Sequence, residues 1–189
     1  MVNIYKSKLT ILQQEILRLL FVKAGALLNQ RNIASLLDVT PPAVMKALPK
    51  LEKENLIKIV QDKESKRWSI GLNRDNYKVL QIKRADNLRQ IYESGLIDFL
   101  EKEFAGATIV LFGSYSRGED VWYADNDDRN SDIDIAIVGR KEKKINLKEY
   151  ENNLQRIINI NFYDLWKSIH KNLRNNLFNG IILLGGVEL

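Results

Sequence analysis

The chain has 189 residues, of which 45 % are hydrophobic and 28 % charged, enough to bury the core of one large domain or two small ones. No apolar run approaches the roughly 20 residues that cross a bilayer, and Met1-Val2-Asn3 does not begin a basic and then apolar signal segment. The absence of cysteine excludes disulfides and thiolate metal sites and suits a reducing cytosol. We therefore expect a globular cytoplasmic protein.

The net charge of +5 is distributed unevenly along the chain. Residues 1–92 carry 17 Lys and Arg against 8 Asp and Glu (+9), whereas residues 93–189 carry the remaining 12 basic and 16 acidic residues (−4). A basic half is typical of nucleic-acid binding, and carboxylates gathered in the other half suit cations. The two halves are therefore expected to have different partners.

Three helices are predicted in the first part of the chain. Leucine and isoleucine recur at three- and four-residue spacing over residues 7–22, which predicts one amphipathic helix. A second helix is expected over residues 31–37, capped by Asn29. Thr40 can cap a third, because the two prolines that follow it would stand in the first turn, where a missing N–H is tolerated.

Two strands are predicted next, at residues 56–60 and 68–72, joined by a polar stretch with a basic tip. This order resembles the winged helix-turn-helix of transcription regulators, and we assign residues 1–73 to such a domain. The resemblance implies that the third helix enters the major groove of duplex DNA and that the hairpin, or wing, contacts phosphates. The residues expected to face DNA are Pro42, Met45, Lys46 and Lys50 on the helix and Lys63, Lys66 and Arg67 on the wing. Winged helices also dock proteins, which leaves that alternative open.

Pro49 departs from the usual pattern of a recognition helix. Inside a helix it removes the hydrogen bond to residue 45 and clashes with the preceding turn, at a cost of about 3 kcal/mol. We expect a kink, which either re-aims Lys50 along the groove or takes this helix off the bases.

Helical patterning continues from residue 74 to residue 104, with Gly95 interrupting it. We place a helical connector at residues 74–92. A long helix with charges of both signs is typical of a solvated spacer or of a face that forms a homodimer, and the sequence favours neither.

The second half contains two short apolar strands with polar residues at their ends. Residues 107–112 form a β-branched run that ends at Gly113-Ser114, where a glycine lets the backbone approach a ligand. A short helix opening at Ser114 would direct N–H groups at phosphate oxygens, and Arg117 would add positive charge.

Asp132 and Asp134 stand at the start of the next apolar run, residues 131–138. Residues two apart on a strand share a face, so the two carboxylates are expected to point together. Like charges in this arrangement are costly unless a cation lies between them. Mg²⁺ or Mn²⁺ accepts such oxygen ligands and can assist attack on a nucleoside triphosphate.

This combination of strand, Gly-Ser, helix and Asp-x-Asp resembles the minimal nucleotidyltransferases of the polymerase-beta-like superfamily, over residues 93–189. The resemblance implies transfer of a nucleoside monophosphate from ATP or another triphosphate to a hydroxyl. It also implies nucleotide binding by Gly113, Ser114 and Arg117 and metal binding and catalysis by Asp132 and Asp134.

Two features depart from that family. The connection 115–131 is long and carries an acidic insert, residues 120–130, which is expected to be a substrate lip or a solvated loop. The third carboxylate of the family is matched by Asn159, and an amide cannot accept a proton near neutral pH. Asp164 is a candidate substitute, while His170 is expected to be a surface residue on a helix over residues 164–173.

The sequence thus predicts an α+β protein with a winged helix, a helical connector and a nucleotidyltransferase-like domain with a small mixed sheet. Three functions stay open: a metal-dependent nucleotidyltransferase coupled to a DNA-binding domain, a non-catalytic DNA-binding regulator that senses nucleotide or docks a partner, and an antitoxin-like partner of a toxin. The antitoxin-like function has no residue of its own to support it.

Overall fold

The computed structural model of the protein describes residues 8–61, 67–122 and 130–187. The chain divides into two compact units. The first unit is formed by the residues up to Val79, with Trp122 grouped with it, and the second unit begins at Leu80. None of the helices in the described ranges is long and apolar enough to cross a membrane.

The first unit opens with three helices, α1 (Ile11–Val22), α2 (Gln30–Leu36) and α3 (Pro41–Lys53). Helix α1 begins four residues later than predicted, because Thr10 and Gln13 form a capping box that ends the extended backbone at Thr10. The spacing of apolar residues does not reveal this capping box, so it could not locate the first turn of the helix.

The predicted caps of the next two helices are confirmed. The Asn29 side chain accepts the N–H groups of Arg31 and Asn32, each at 2.9 Å, and the Thr40 hydroxyl accepts the N–H of Ala43 at 3.4 Å. Helix α3 continues through Pro49 to Lys53 without interruption. The missing N–H of the proline therefore does not end the helix.

The wing consists of antiparallel strands β1 (Ile57–Gln61) and β2 (Trp68–Leu72). Ile70 of β2 also bridges to Leu28, which ties the hairpin to the segment before α2. Lys63 and Lys66 of the predicted wing tip lie outside the described residues. The buried core of this unit is apolar and draws on all three helices and both strands, and it includes Ile16, Leu20, Ile33, Val44, Leu48, Leu51, Ile57 and Ile70.

Helix α4 (Tyr77–Glu93) lies where a helical connector was predicted, and Gly95 separates it from α5 (Leu96–Glu103) as expected. From Leu80 onward α4 belongs to the second unit, where Ile91 is fully buried. Neither of the two expectations for this segment, a solvated spacer or a dimer-forming face, anticipated that packing.

The second unit is built on a four-stranded mixed sheet in the order β5-β4-β3-β6. Strands β3 (Thr108–Phe112), β4 (Ile133–Val138), β5 (Ile158–Tyr163) and β6 (Ile181–Leu184) form it. Strand β3 is antiparallel to β4 and β6, whereas β4 and β5 are parallel. The sheet confirms the predicted small mixed sheet, and β6 is a strand that the sequence analysis did not identify.

Short helices complete the second unit. They are α6 (Gly113–Arg117) after β3, α7 (Lys148–Leu154) before β5 and α8 (Lys171–Phe178) before β6. The single helix predicted over residues 164–173 is replaced by a 3-10 turn (Trp166–Ser168) and α8. The two are separate because His170 has non-helical backbone and caps α8, its Nδ1 accepting the N–H of Asn172 at 3.4 Å. His170 is exposed, as predicted.

Alternation along β4 assigns its side chains to the two faces of the sheet. Ile133, Ile135 and Ile137 pack into one core with α5, whereas Ala136 and Val138 pack into a second core on the opposite face. Because Asp134 precedes Ala136 by two residues, it lies at the end of that second face.

Candidate functional site

The turn from β3 into α6 brings the backbone against the first carboxylate of the site. Gly113 has a φ of +76°, a conformation that side chains other than glycine rarely adopt. A Cβ added at this position would overlap the carboxylate of Asp134. Two physical reasons therefore favour glycine at this position, its backbone conformation and the close approach of Asp134. Ser114 follows it and is half-buried.

Asp132 and Asp134 lie close together, although only Asp134 is on a strand. Strand β4 begins at Ile133, so Asp132 precedes it, whereas both carboxylates were expected on the strand. Burial raises the pKa of Asp134, and the charge of Asp132 raises it further, while a hydrogen bond from Asn159 opposes the shift. Two neighbouring carboxylates, one of them partly buried, are a ligand pair that a divalent cation would stabilise.

Asn159 completes this group from the neighbouring strand. Strands β4 and β5 are parallel and in register at Asp134 and Asn159. The Asn159 amide donates from Nδ2 to Oδ2 of Asp132 over 2.8 Å. The structure therefore brings together Gly113, Asp132, Asp134 and Asn159, and Asn159 serves as a hydrogen-bond donor to a carboxylate.

Asp164 lies at the opposite end of the sheet, so the expectation that it can replace the third acid is wrong. It lies five positions after Asn159 along an extended segment, a distance of about 16 Å at the usual rise per residue. Asp164 lines an open cavity of about 710 Å³ beside Val138 and Gly139, where β4 ends. In the described parts of the chain, no three His, Cys, Asp or Glu side chains are close enough to hold a metal together.

The remaining predicted nucleotide ligand, Arg117, is exposed and already paired. Its Nε donates to Oε2 of Glu119 over 2.7 Å, and both side chains are about half exposed, at 50 % and 47 %. Of the predicted acidic insert, residues 123–129, which contain Tyr123, Asp125, Asp127 and Asp128, lie outside the described residues.

The predicted DNA-facing side chains of α3 differ in availability. Pro42 and Lys46 are exposed, whereas Met45 is partly buried and packs against the core of the first unit. Lys50 forms an ion pair with Glu54 one turn later, at 2.8 Å. On the wing, Arg67 is exposed. Of these four residues, Met45 therefore has the least of its side chain free to contact DNA, while Lys50 remains 40 % exposed beside Glu54.

Sequence reasoning missed a set of buried polar residues in the second unit, Lys83, Asn87, Asp120 and Arg156. Asp120 was expected in a lip or a solvated loop, yet it is 1 % exposed. It is buried because its carboxylate pairs with Lys83 and Arg156, residues distant in sequence. Periodicity around any one of these residues carries no signal of such a cluster.

Two family models match the chain, one to each part. Residues 9–68 match the MarR family, and residues 94–186 match the family described as Polymerase beta, Nucleotidyltransferase. No curated protein gives a match.

Several solved structures are similar to about half of the chain. A cysteine-to-serine mutant of Lactococcus lactis ZitR is 25 % identical, with a TM-score of 0.41, over 55 % of this chain and 68 % of its own. A MepR–DNA complex from Staphylococcus aureus is 27 % identical, with a TM-score of 0.36, over 50 % of this chain and 81 % of its own. A second structure of MepR is described as a transcription regulator of the Staphylococcus aureus multidrug efflux pump MepA. It is 28 % identical, with a TM-score of 0.39, over 51 % of this chain and 69 % of its own.

The two family matches agree with the architecture. The MarR match covers the three helices and reaches the start of β2, and the second match covers the mixed sheet with Gly113, Asp132 and Asp134. The chain therefore combines a winged-helix domain of the MarR type with a domain of the polymerase-beta nucleotidyltransferase type.

Proposed function

We propose that this protein is a DNA-binding regulator whose second domain binds a divalent cation and a nucleoside triphosphate, with transfer of the nucleotide weak or absent. The observation that carries the proposal is the hydrogen bond of 2.8 Å that Asn159 donates to Asp132. Asn159 stands at the position that matches the third acid of the family.

The paired carboxylates support cation binding. Asp132 and Asp134 supply the oxygen ligands that Mg²⁺ and Mn²⁺ prefer. Burial and then the charge of Asp132 raise the pKa of Asp134, and a bound cation would offset both effects. A bound cation supplies charge neutralisation for a triphosphate. Ser114 and the neighbouring backbone N–H groups would bind the phosphates, with ATP as the first nucleotide to test.

The amide at position 159 supports sensing over catalysis. A carboxylate at this position could accept the proton of an attacking hydroxyl and add a charged metal ligand, whereas an amide can do neither. Asp164 is too distant to replace it, since it lies at the other end of β5.

The charge and shape of the first unit support DNA binding. Its MarR-type winged helix has Lys46 and Arg67 exposed, and residues 1–92 carry the excess of positive charge. A basic recognition helix and wing bind the phosphate backbone and place side chains in the major groove.

A slow nucleotidyltransferase is the second candidate. The retention of Gly113, Asp132 and Asp134 in one place favours it, because these groups can hold a metal and a triphosphate for in-line attack even without a base. Release of pyrophosphate and label transfer from α-labelled ATP to protein, RNA or cell extract distinguish the two candidates.

Calorimetry with MgATP tests the shared part of the proposal. The double variant Asp132→Asn/Asp134→Asn should lose nucleotide binding, whereas Asp98→Asn, an exposed aspartate on α5, should bind as the wild type does. Equal binding by the double variant would show that these carboxylates do not form the site. Retardation of genomic DNA fragments with and without MgATP then tests whether the nucleotide changes DNA affinity.

A further inference from the structure

Four polar side chains form a buried cluster in the second unit, which we call the ion cluster: Lys83 and Asn87 of α4, Asp120, and Arg156 before β5. Lys83 is 0 % exposed, Asp120 1 %, Asn87 3 % and Arg156 5 %. Charges removed from water this completely are costly, and replacing a buried ion cluster by apolar residues often leaves stability unchanged or improves it. Stability alone therefore does not account for the ion cluster, and the segments that it joins indicate its role.

Asp120 is the centre of the ion cluster. Lys83 forms an ion pair with its Oδ1, and Asn87 donates from Nδ2 to the same oxygen over 2.8 Å. Arg156 donates from Nη2 to Oδ2 over 3.2 Å. Both carboxylate oxygens are thus engaged by side chains from two separate segments, which fixes those segments relative to each other.

The first connection from Asp120 runs to the Gly-Ser turn. Asn87, which donates to Asp120, also donates from Nδ2 to the Tyr115 carbonyl over 2.9 Å. Tyr115 directly follows Ser114 in α6. Gly118, the residue after this helix, lies so close to α4 that an added Cβ would overlap the Leu80 carbonyl. The position of Ser114 therefore depends on the docking of α6 against α4.

Two further connections run to the carboxylate and the amide of the site. Val121, the neighbour of Asp120, exchanges two hydrogen bonds with Ser131: its N–H donates to the Ser131 hydroxyl, and its carbonyl accepts the Ser131 N–H, both at 3.0 Å. Ser131 directly precedes Asp132. Arg156 precedes Ile157, whose carbonyl accepts the N–H of Ile133 at 2.8 Å, and Asn159 follows two residues later.

We propose that Asp120 is a positioning residue that holds the Gly113–Ser114 turn, Asp132 and Asn159 in one arrangement through Asn87, Val121 and Arg156. The inference rests on the proposed nucleotide site. Hydrogen bonds to a carboxylate are directional, whereas apolar contacts are not, so a carboxylate at this point can fix three segments where a leucine would fill only the space.

The test compares three proteins with the wild type. Asp120→Asn keeps the shape and removes the negative charge, and Asp98→Asn makes the same change on an exposed aspartate. The triple variant Lys83→Met/Asp120→Leu/Arg156→Met replaces the ion cluster by apolar side chains of similar volume. The measurements are the thermal midpoint, the dissociation constant for MgATP, and the amide hydrogen exchange of residues 113–118 and 157–160 without nucleotide.

We expect Asp120→Asn and the triple variant to bind MgATP about tenfold more weakly or worse, and to exchange faster in both segments. The triple variant should keep a midpoint near that of the wild type, which separates positioning from stability. A triple variant that binds MgATP and exchanges as the wild type does would overturn the proposal. If these variants do not fold, Arg156→Lys, which keeps the charge but not the guanidinium geometry, provides the same comparison.

The measurements distinguish a failure of the proposed function from a failure of the positioning role. A wild-type protein that does not bind MgATP would refute the nucleotide site, and the exchange measurement would then decide the positioning role alone. Unchanged exchange in Asp120→Asn at both segments would overturn it, and faster exchange confined to them would support it.

Discussion

Asn159 and Asp132 are joined by a hydrogen bond of 2.8 Å from the amide Nδ2 to the carboxylate Oδ2, between the start of β5 and the residue before β4. The same amide lowers the pKa of Asp134 against the effects of burial and of the Asp132 charge. One neutral side chain thus interacts with both neighbouring carboxylates.

Replacing Asn159 by Asp tests whether this neutral side chain is what limits transfer. We expect weak or no transfer in the wild type and a higher rate in Asn159→Asp with Mg²⁺, because the new carboxylate can act as a base and a ligand. The lack of acid–base assistance alone typically costs ~10²–10⁴-fold. Release of pyrophosphate from ATP is the measurement. Robust wild-type turnover would show that the third acid is dispensable, and inactivity of both proteins with nucleotide binding preserved would favour the regulator.

The pKa of Asp134 should respond to its two neighbours in opposite directions. Asp132→Asn removes a like charge and should lower this pKa, whereas Asn159→Ala removes a hydrogen bond to the ionised form and should raise it. Carboxyl NMR titration without metal measures both shifts. A change of the same sign in the two variants would contradict the arrangement.

The same raised pKa predicts how Mg²⁺ affects stability. Because the folded-state pKa of Asp134 lies above its unfolded value of 3.8, protonation favours the folded state at acid pH, and this contribution is lost as pH rises through the raised pKa. Mg²⁺ binds only the ionised pair, so it should raise the thermal midpoint more at neutral pH than at pH 4. An equal increase at both pH values would exclude binding at this pair.

The parts of the fold that were predicted correctly depend on local sequence. Asn29 and Thr40 were identified as caps because a cap bonds to N–H groups two or three residues away. The strands beginning at Thr108 and Ile133 were found because buried strands are short β-branched runs. The match of Asn159 to the third acid could be made because it stands within such a run.

The parts that were missed depend on contacts distant in sequence. Asp120 meets Lys83 across 37 residues and Arg156 across 36, and no spacing rule reaches so far. Asp164 was considered near the site because it follows β5 closely in sequence. The parallel pairing of β4 with β5 instead carries it to the other end of the sheet.

Arg117 should bind nucleotide better when Glu119 no longer pairs with it. Exposed ion pairs are worth about 0–1 kcal/mol, so Glu119→Gln should tighten MgATP binding by about two- to fivefold, and Arg117→Ala should weaken it. Glu142→Gln, at an exposed position, is the matched control. Calorimetry that finds no change in either Glu119→Gln or Arg117→Ala would remove Arg117 from the site.

Gly113→Ala separates backbone strain from the clash with Asp134. Gly113 and Gly95 share a φ of +76°, but an added Cβ meets Asp134 at position 113 and nothing within 4 Å at position 95. Both alanine variants should lose about 1–2 kcal/mol of stability from the left-handed conformation. Only Gly113→Ala should also lose MgATP affinity, because the carboxylate must move. Equal nucleotide binding by the two variants would argue against the close approach.

DNA binding by the first unit should fall steeply with salt, and the wing should carry part of that dependence. Changing Lys63, Lys66 and Arg67 together to Ala should lower the slope of log K against log salt by about 0.9 for each phosphate that the wing no longer neutralises. Lys46→Ala on α3 should weaken binding as well, since this lysine is exposed on the helix expected in the major groove.

A control removes the same charge from the second unit. Lys141, Lys144 and Lys148 are exposed there, and changing all three to Ala reduces the net charge by the same amount as the wing variant. Because phosphate contacts act locally, this variant should keep the wild-type salt slope. An equal decrease of the slope in both variants would mean that overall charge, and not the wing, controls binding. If the wild type retards no genomic fragment at low salt, the proposal that this winged helix binds DNA is wrong.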